Sequence, residues 1–174
     1  MKKYNESHLL RMFLVGFFLL AFAGQSIATE NNGALQGMTA AKVVFDVKKD
    51  DPQKLLRSLT AIVHTRERMI RQNVQPDIVV TFRGASVAYL TERDEIPVMA
   101  EYVEEVMDKE EVMDNIIRKI SELNKVGVRM EICSLALNFL EMGDSKLLPG
   151  VNKVGNSLVS LIAYQNRGYA MVAI

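Results

Sequence analysis

A single cysteine, no tryptophan and only two histidines leave this 174-residue chain few of the side chains that most often carry chemistry. One thiol, Cys133, excludes an internal disulfide, so it is free, buried or joined to another molecule. His8 and His64 lie far apart and no second cysteine exists, so no spacing suits a transition metal and no metal site is expected. The glycines form neither a phosphate loop nor the Gly-x-Gly-x-x-Gly fingerprint, and no Gly-x-Ser-x-Gly elbow occurs. Nucleotide and serine-hydrolase chemistry are therefore disfavoured, and no cofactor is implied. The chain also lacks repeats and low-complexity tracts.

Net charge is a further absence: 21 basic residues balance 21 acidic ones. Lys2, Lys3 and Arg11 precede or open the apolar run Met12 to Ala23, and small-residue patterns end at Ala23 and at Ala28. That run is shorter than the ~20 residues needed to cross a bilayer. Residues 1–28 thus read as a secretory signal cleaved after Ala23 or Ala28. The expected location is periplasmic or secreted, or membrane-anchored if the signal is retained. Without that segment 18 basic and 20 acidic residues remain, a balance that favours neither nucleic acid nor an anionic membrane as partner.

Residues 29–40 read as a disordered leader, and 41–174 as one domain. Lys42–Val47 is a β-rich run. Asp51-Pro52 gives an N-cap and a first-turn proline, and the apolar face from Leu55 to Ile70 carries a helix of about five turns. Pro76–Phe82 is a second strand, apolar enough to be covered on both faces. Ala85–Leu90 reads as a short helix, and Thr91 to Met113 as an acidic, partly helical surface excursion. Its carboxylates, from Glu101 to Glu111, read as the wet face of a helix.

Asn115–Lys125 then leads, through the Gly127 stop, into a strand that ends at Cys133. Ser134 to Leu140 opens another helix. Val151–Val154 reads as a strand, Gly155-Asn156-Ser157 as a cap for a helix over Leu158–Asn166, and Tyr169–Ile174 as a buried final strand. Strands alternating with helices imply right-handed crossovers and a three-layer, doubly wound α/β fold with a mainly parallel sheet of about five strands. Strand order is not readable from this pattern.

Cys133 is the leading site candidate. A thiol at a strand-to-helix junction meets unpaired N–H groups and the positive end of the helix dipole, which favour thiolate. The alternative is a small buried hydrophobe. Arg83 and Gly84 end the second strand, on the same rim if the sheet is parallel, where Arg83 reads first as a solvated loop arginine and otherwise as a group that steadies a thiolate or an anionic ligand. Asp46 is a polar candidate near the end of the first strand. Ser134 and Asn138 complete the set, with the backbone N–H groups of Ser134–Asn138 facing the sulfur, although Asn138 reads first as a helix-surface residue.

The strand Lys42–Val47 with Asp50-Asp51-Pro52, the stretch Gly127–Cys133 and the tail Leu147–Val151 through Arg167–Ala170 together resemble the DsrE/DsrF-like, sulfur-relay-type family. The resemblance covers about Ala41 to Ile174. It implies a three-layer α/β fold assembled as a trimer or related homo-oligomer. In some cytoplasmic members of that family a cysteine carries sulfane sulfur as a persulfide between a donor and an acceptor protein, and Cys133 occupies the position that resembles it. The other reading is a non-catalytic binding or assembly module in which Cys133 only packs.

Overall fold

The structure, a computed structural model, describes residues 33–92 and 109–174. Five strands, β1 (Ala40–Val47), β2 (Gln75–Phe82), β3 (Arg129–Cys133), β4 (Val151–Val154) and β5 (Ala170–Ala173), pair in the order β4-β3-β2-β1-β5. Every pairing is parallel. The chain steps outward from β1 to β4 and then crosses back to lay β5 on the far side of β1. Right-handed crossovers put helices on opposite faces when the direction of travel reverses.

Helices α1 (Pro52–Arg71) and α2 (Lys109–Lys125) cover one face, and α4 (Ser157–Asn166) covers the other. A short helix, α3 (Ser134–Phe139), and a 3-10 segment (Gly84–Leu90) sit at the strand ends. Asp51 caps α1 by accepting the Lys54 N–H at 2.7 Å, and Pro52 occupies the first turn, where its missing N–H costs nothing. Leu55, Leu59, Ile62 and Val63 repeat at helical spacing and are all buried. Each such side chain contributes about 1.5–3 kcal/mol of burial.

The larger core lies under α1 and α2, where Val43, Phe45, Val80, Phe82, Met130 and Ile132 meet Ile116 and Ile120. The second core is small: Val44 and Val79 against Leu161, Tyr164 and Tyr169. Strand alternation distributes these residues, and it also sends Arg129 and Glu131 to the α4 side, where they meet the two tyrosines.

One reading needs correction. The last strand is exposed along its whole length, with Met171 at 45% and Val172 at 39%, because β5 is the sheet edge and nothing in the described chain covers it. Helix α2 begins at Lys109, so the end of the excursion read as partly helical is its first turn. The leader up to Asn32, and the excursion from Arg93 to Asp108 with most of its carboxylates, lie outside the described residues. His64 is exposed on α1, and no cluster of metal-binding side chains occurs among the described residues.

Candidate functional site

Four adjacent strands deliver one side chain each, or nearly so, to a common rim. Lys48 follows β1, Arg83 and Gly84 follow β2, Cys133 ends β3, and Asn156 and Ser157 follow β4. The parallel register levels these ends, with Val47 beside Phe82, Phe82 beside Ile132 and Cys133 beside Val154. Ligands of open α/β sheets bind beyond the carboxyl ends of the strands, which is where this rim lies.

The rim encloses a pocket of about 300 Å³. Lys48, Arg83, Gly84, Cys133, Asn156 and Ser157 line one side, while Leu135, Ala136, Phe139, Leu140 and Leu158 supply an apolar wall. Cys133 is 5% exposed, at the margin of the larger core and on the pocket floor. The two helix starts are tied together above it, because the Leu135 N–H donates to the Gly155 carbonyl at 3.2 Å. Asn156 caps α4 by accepting the Leu158 N–H at 2.9 Å.

The Ser157 N–H points at Cys133 Sγ, 3.5 Å away. Burial opposes a charge on the sulfur. The Ser157 N–H, the Ser157 hydroxyl and the N–H groups of Ala136 and Leu135 outweigh it and hold the thiol below its ordinary value. By distance and angle the Leu135 N–H belongs to Gly155, so Ser157 is the principal donor. Its hydroxyl is fully buried and has no hydrogen-bond partner of ordinary geometry among the described residues. An unmatched buried hydroxyl costs about 1–3 kcal/mol, a cost that an anionic sulfur beside it would relieve.

Arg83 directs Nε and Nη2 to the two carboxylate oxygens of Asp46, each at 2.7 Å. Asp46 is buried and its hydrogen bonds raise the Arg83 pKa, with the Cys133 sulfur anion adding to that effect. Gly84 adopts φ +61°, and a Cβ there would stand 3.1 Å from Lys48 Cγ. The absent side chain lets the lysine stem lie across the strand end.

Of the residues singled out from sequence, Cys133, Arg83 and Gly84 share the pocket. Asp46 does not line it and acts through Arg83. Ser134 and Asn138 do not line it either. Asn138 is exposed and its side chain stands over Gly143, where a Cβ would collide with its Oδ1. No local sequence pattern marks Lys48 or Ser157 as a site residue. The Gly155-Asn156-Ser157 cap was legible, but only the pairing of β4 with β3 brings it beside Cys133.

A model of the DsrE/DsrF-like family matches residues 30–174. No curated protein matches. A solved structure described as a protein of unknown function, MTH1491 from Methanobacterium thermoautotrophicum, shares the fold at TM-score 0.58 and 22% identity, over 77% of this chain and 99% of that one. The YchN protein from E. coli does so at TM-score 0.54 and 17% identity, over 77% and 99% of the two chains. The chain belongs to the DsrE/DsrF-like family.

Proposed function

Starting from membership of the DsrE/DsrF-like family, we propose that this protein handles sulfane sulfur or thiols through Cys133. The observation that carries the proposal is the sulfur's setting. A lone thiol sits on the floor of a 300 Å³ pocket, faces the Ser157 N–H at 3.5 Å and is held toward thiolate. The thiolate is the nucleophile, and a persulfide formed on it keeps an anionic outer sulfur that the same donors and cations favour.

The proposal includes export and self-assembly. The basic start and apolar run of the first 28 residues support a cleaved signal, and a mature chain beginning at Gly24 or Thr29 would be read by intact mass. Leu158, Val159 and Ile162 leave α4 apolar on its outer side, at 50%, 63% and 60% exposure, and β5 is an open edge beside it. Such a face supports contact with further copies of the chain. Sedimentation of the mature protein as a trimer or larger species is the expected result, and a monomer at working concentration contradicts it.

Persulfide on Cys133 is tested by intact mass of protein purified without reductant. A reducible gain of one sulfur atom, about 32 Da, that is absent from Cys133→Ser is expected. A native thiol that stays inert to mild alkylation until the protein is denatured leaves only the assembly-module reading, in which Cys133 packs.

A further inference from the structure

The two cations at the pocket differ in what holds them. Arg83 is matched by Asp46 through two hydrogen bonds of 2.7 Å. Lys48 has no carboxylate or hydrogen-bond partner among the described residues, and its stem is laid over Gly84 at the pocket edge. On the floor, the buried Ser157 hydroxyl is also unmatched and stands beside Cys133 Sγ. Ala136, Phe139 and Leu140 add an apolar wall to the same pocket.

An anion holder, an apolar wall and a sulfur-facing hydroxyl describe a ligand with three parts. A volume near 300 Å³ lies at the lower end of small-molecule pockets, ~300–1,000 Å³, and exceeds what a bare inorganic sulfur oxyanion fills. We propose that the pocket takes a low-molecular-mass organic persulfide bearing a carboxylate or sulfonate. Its anion rests on Lys48, its carbon body against the apolar wall, and its sulfane sulfur on Cys133 beside Ser157. This names the donor class for the thiol-handling reading above and rests on it.

The transfer balances without a further reagent. The Cys133 thiolate attacks the outer sulfur of R–S–SH, and the S–S bond of the donor breaks. The electron pair leaves with R–S⁻, and Cys133 keeps S–SH. One sulfur changes carrier, with no net oxidant or reductant.

Methanethiosulfonates of different charge test the anion site on the mature protein in its native assembly. Modification of Cys133 is followed by intact mass with the sulfonatoethyl, the trimethylammonioethyl and the neutral methyl reagents, each rate being referred to the neutral one. At low salt the anionic reagent is expected to outrun the cationic one about tenfold. Lys48→Glu should invert that order, whereas Lys49→Glu, which adds the same charge outside the pocket lining, should preserve it. In a second arm, 3-mercaptopropionate persulfide should load sulfur onto Cys133 faster than thiosulfate does at equal concentration. A rate order insensitive to Lys48→Glu, or faster loading by thiosulfate, overturns the anionic organic donor while leaving Cys133 reactive. Inertness of native Cys133 to all three reagents overturns the thiol-handling reading, and this one with it.

Discussion

The two ends of α4 meet the sheet in different ways. Toward its C-terminus a clasp of side chains is nearly complete. Arg129 bonds to both Asp77 and Tyr169, Tyr169 donates to Asp77, and Tyr164 donates to Glu131. The two tyrosine rings pack edge to face with centroids 5.1 Å apart, and Arg129 lies over both. Among the described residues, Glu131 Oε2 is the one buried side-chain atom left unpartnered there. Toward the N-terminus the same helix meets Cys133 and an open pocket, with a Ser157 hydroxyl and, across the pocket, a Lys48 that have no partner among the described residues. A cluster whose groups satisfy one another holds structure, and the cluster that leaves capacity unused is the one to which the proposed thiol chemistry is assigned. Both ends carry perturbed titrations, so a shifted pKa alone does not separate them.

The sharpest way to break this contrast is Cys133→Ser. Thiol labelling and any sulfur adduct should vanish entirely, while denaturant unfolding shows a loss of at most about 2 kcal/mol. Tyr164→Phe should do the opposite. It strips Glu131 of its donor and should cost about 1–3 kcal/mol in urea unfolding, with the pH midpoint of Cys133 alkylation unmoved. Burial and Glu131 push the Tyr164 pKa up to about 12. A raised native pKa stabilises fully below the unfolded tyrosine value of ~10 and is lost as pH rises through the native one. The stability difference between wild type and Tyr164→Phe should therefore shrink above about pH 10.

Ser157→Ala sharpens the other end. Removing an unmatched buried hydroxyl should leave stability equal or slightly higher, yet alkylation of Cys133 near neutral pH should slow roughly threefold or more as the thiol titrates higher. A variant that loses stability without any change in reactivity would put Ser157 with the clasp. The smallest expected effect belongs to neither end. Asp51→Ala removes the α1 cap and should cost about 1 kcal/mol in unfolding, with both alkylation rate and midpoint unchanged.

Much of the clasp-and-pocket frame was legible in the chain. Asp51-Pro52, the runs Lys42–Val47 and Pro76–Phe82, and the Gly127 stop act over a few residues, so local rules locate them. Cys133 was legible for the same reason, since a strand and a helix meet at it. Ser157 and Lys48 were not, because their value depends on which strands are neighbours. Ser157 lies 24 residues from Cys133 in sequence and reaches it only through the β3–β4 pairing. The run Tyr169–Ile174 misleads in a related way. Its composition suits a covered strand, but its place at the sheet edge leaves it open.

The central claim is that Cys133 is a working thiol steadied by the start of α4. It is tested most directly by the pH dependence of native Cys133 alkylation with iodoacetamide, compared with the urea-unfolded chain. Because the native thiol is held below its ordinary value, the native midpoint should lie below the unfolded one, with reactivity falling as pH drops through it. A native midpoint at or above that of the unfolded chain, or no native reaction at any pH, would contradict the account.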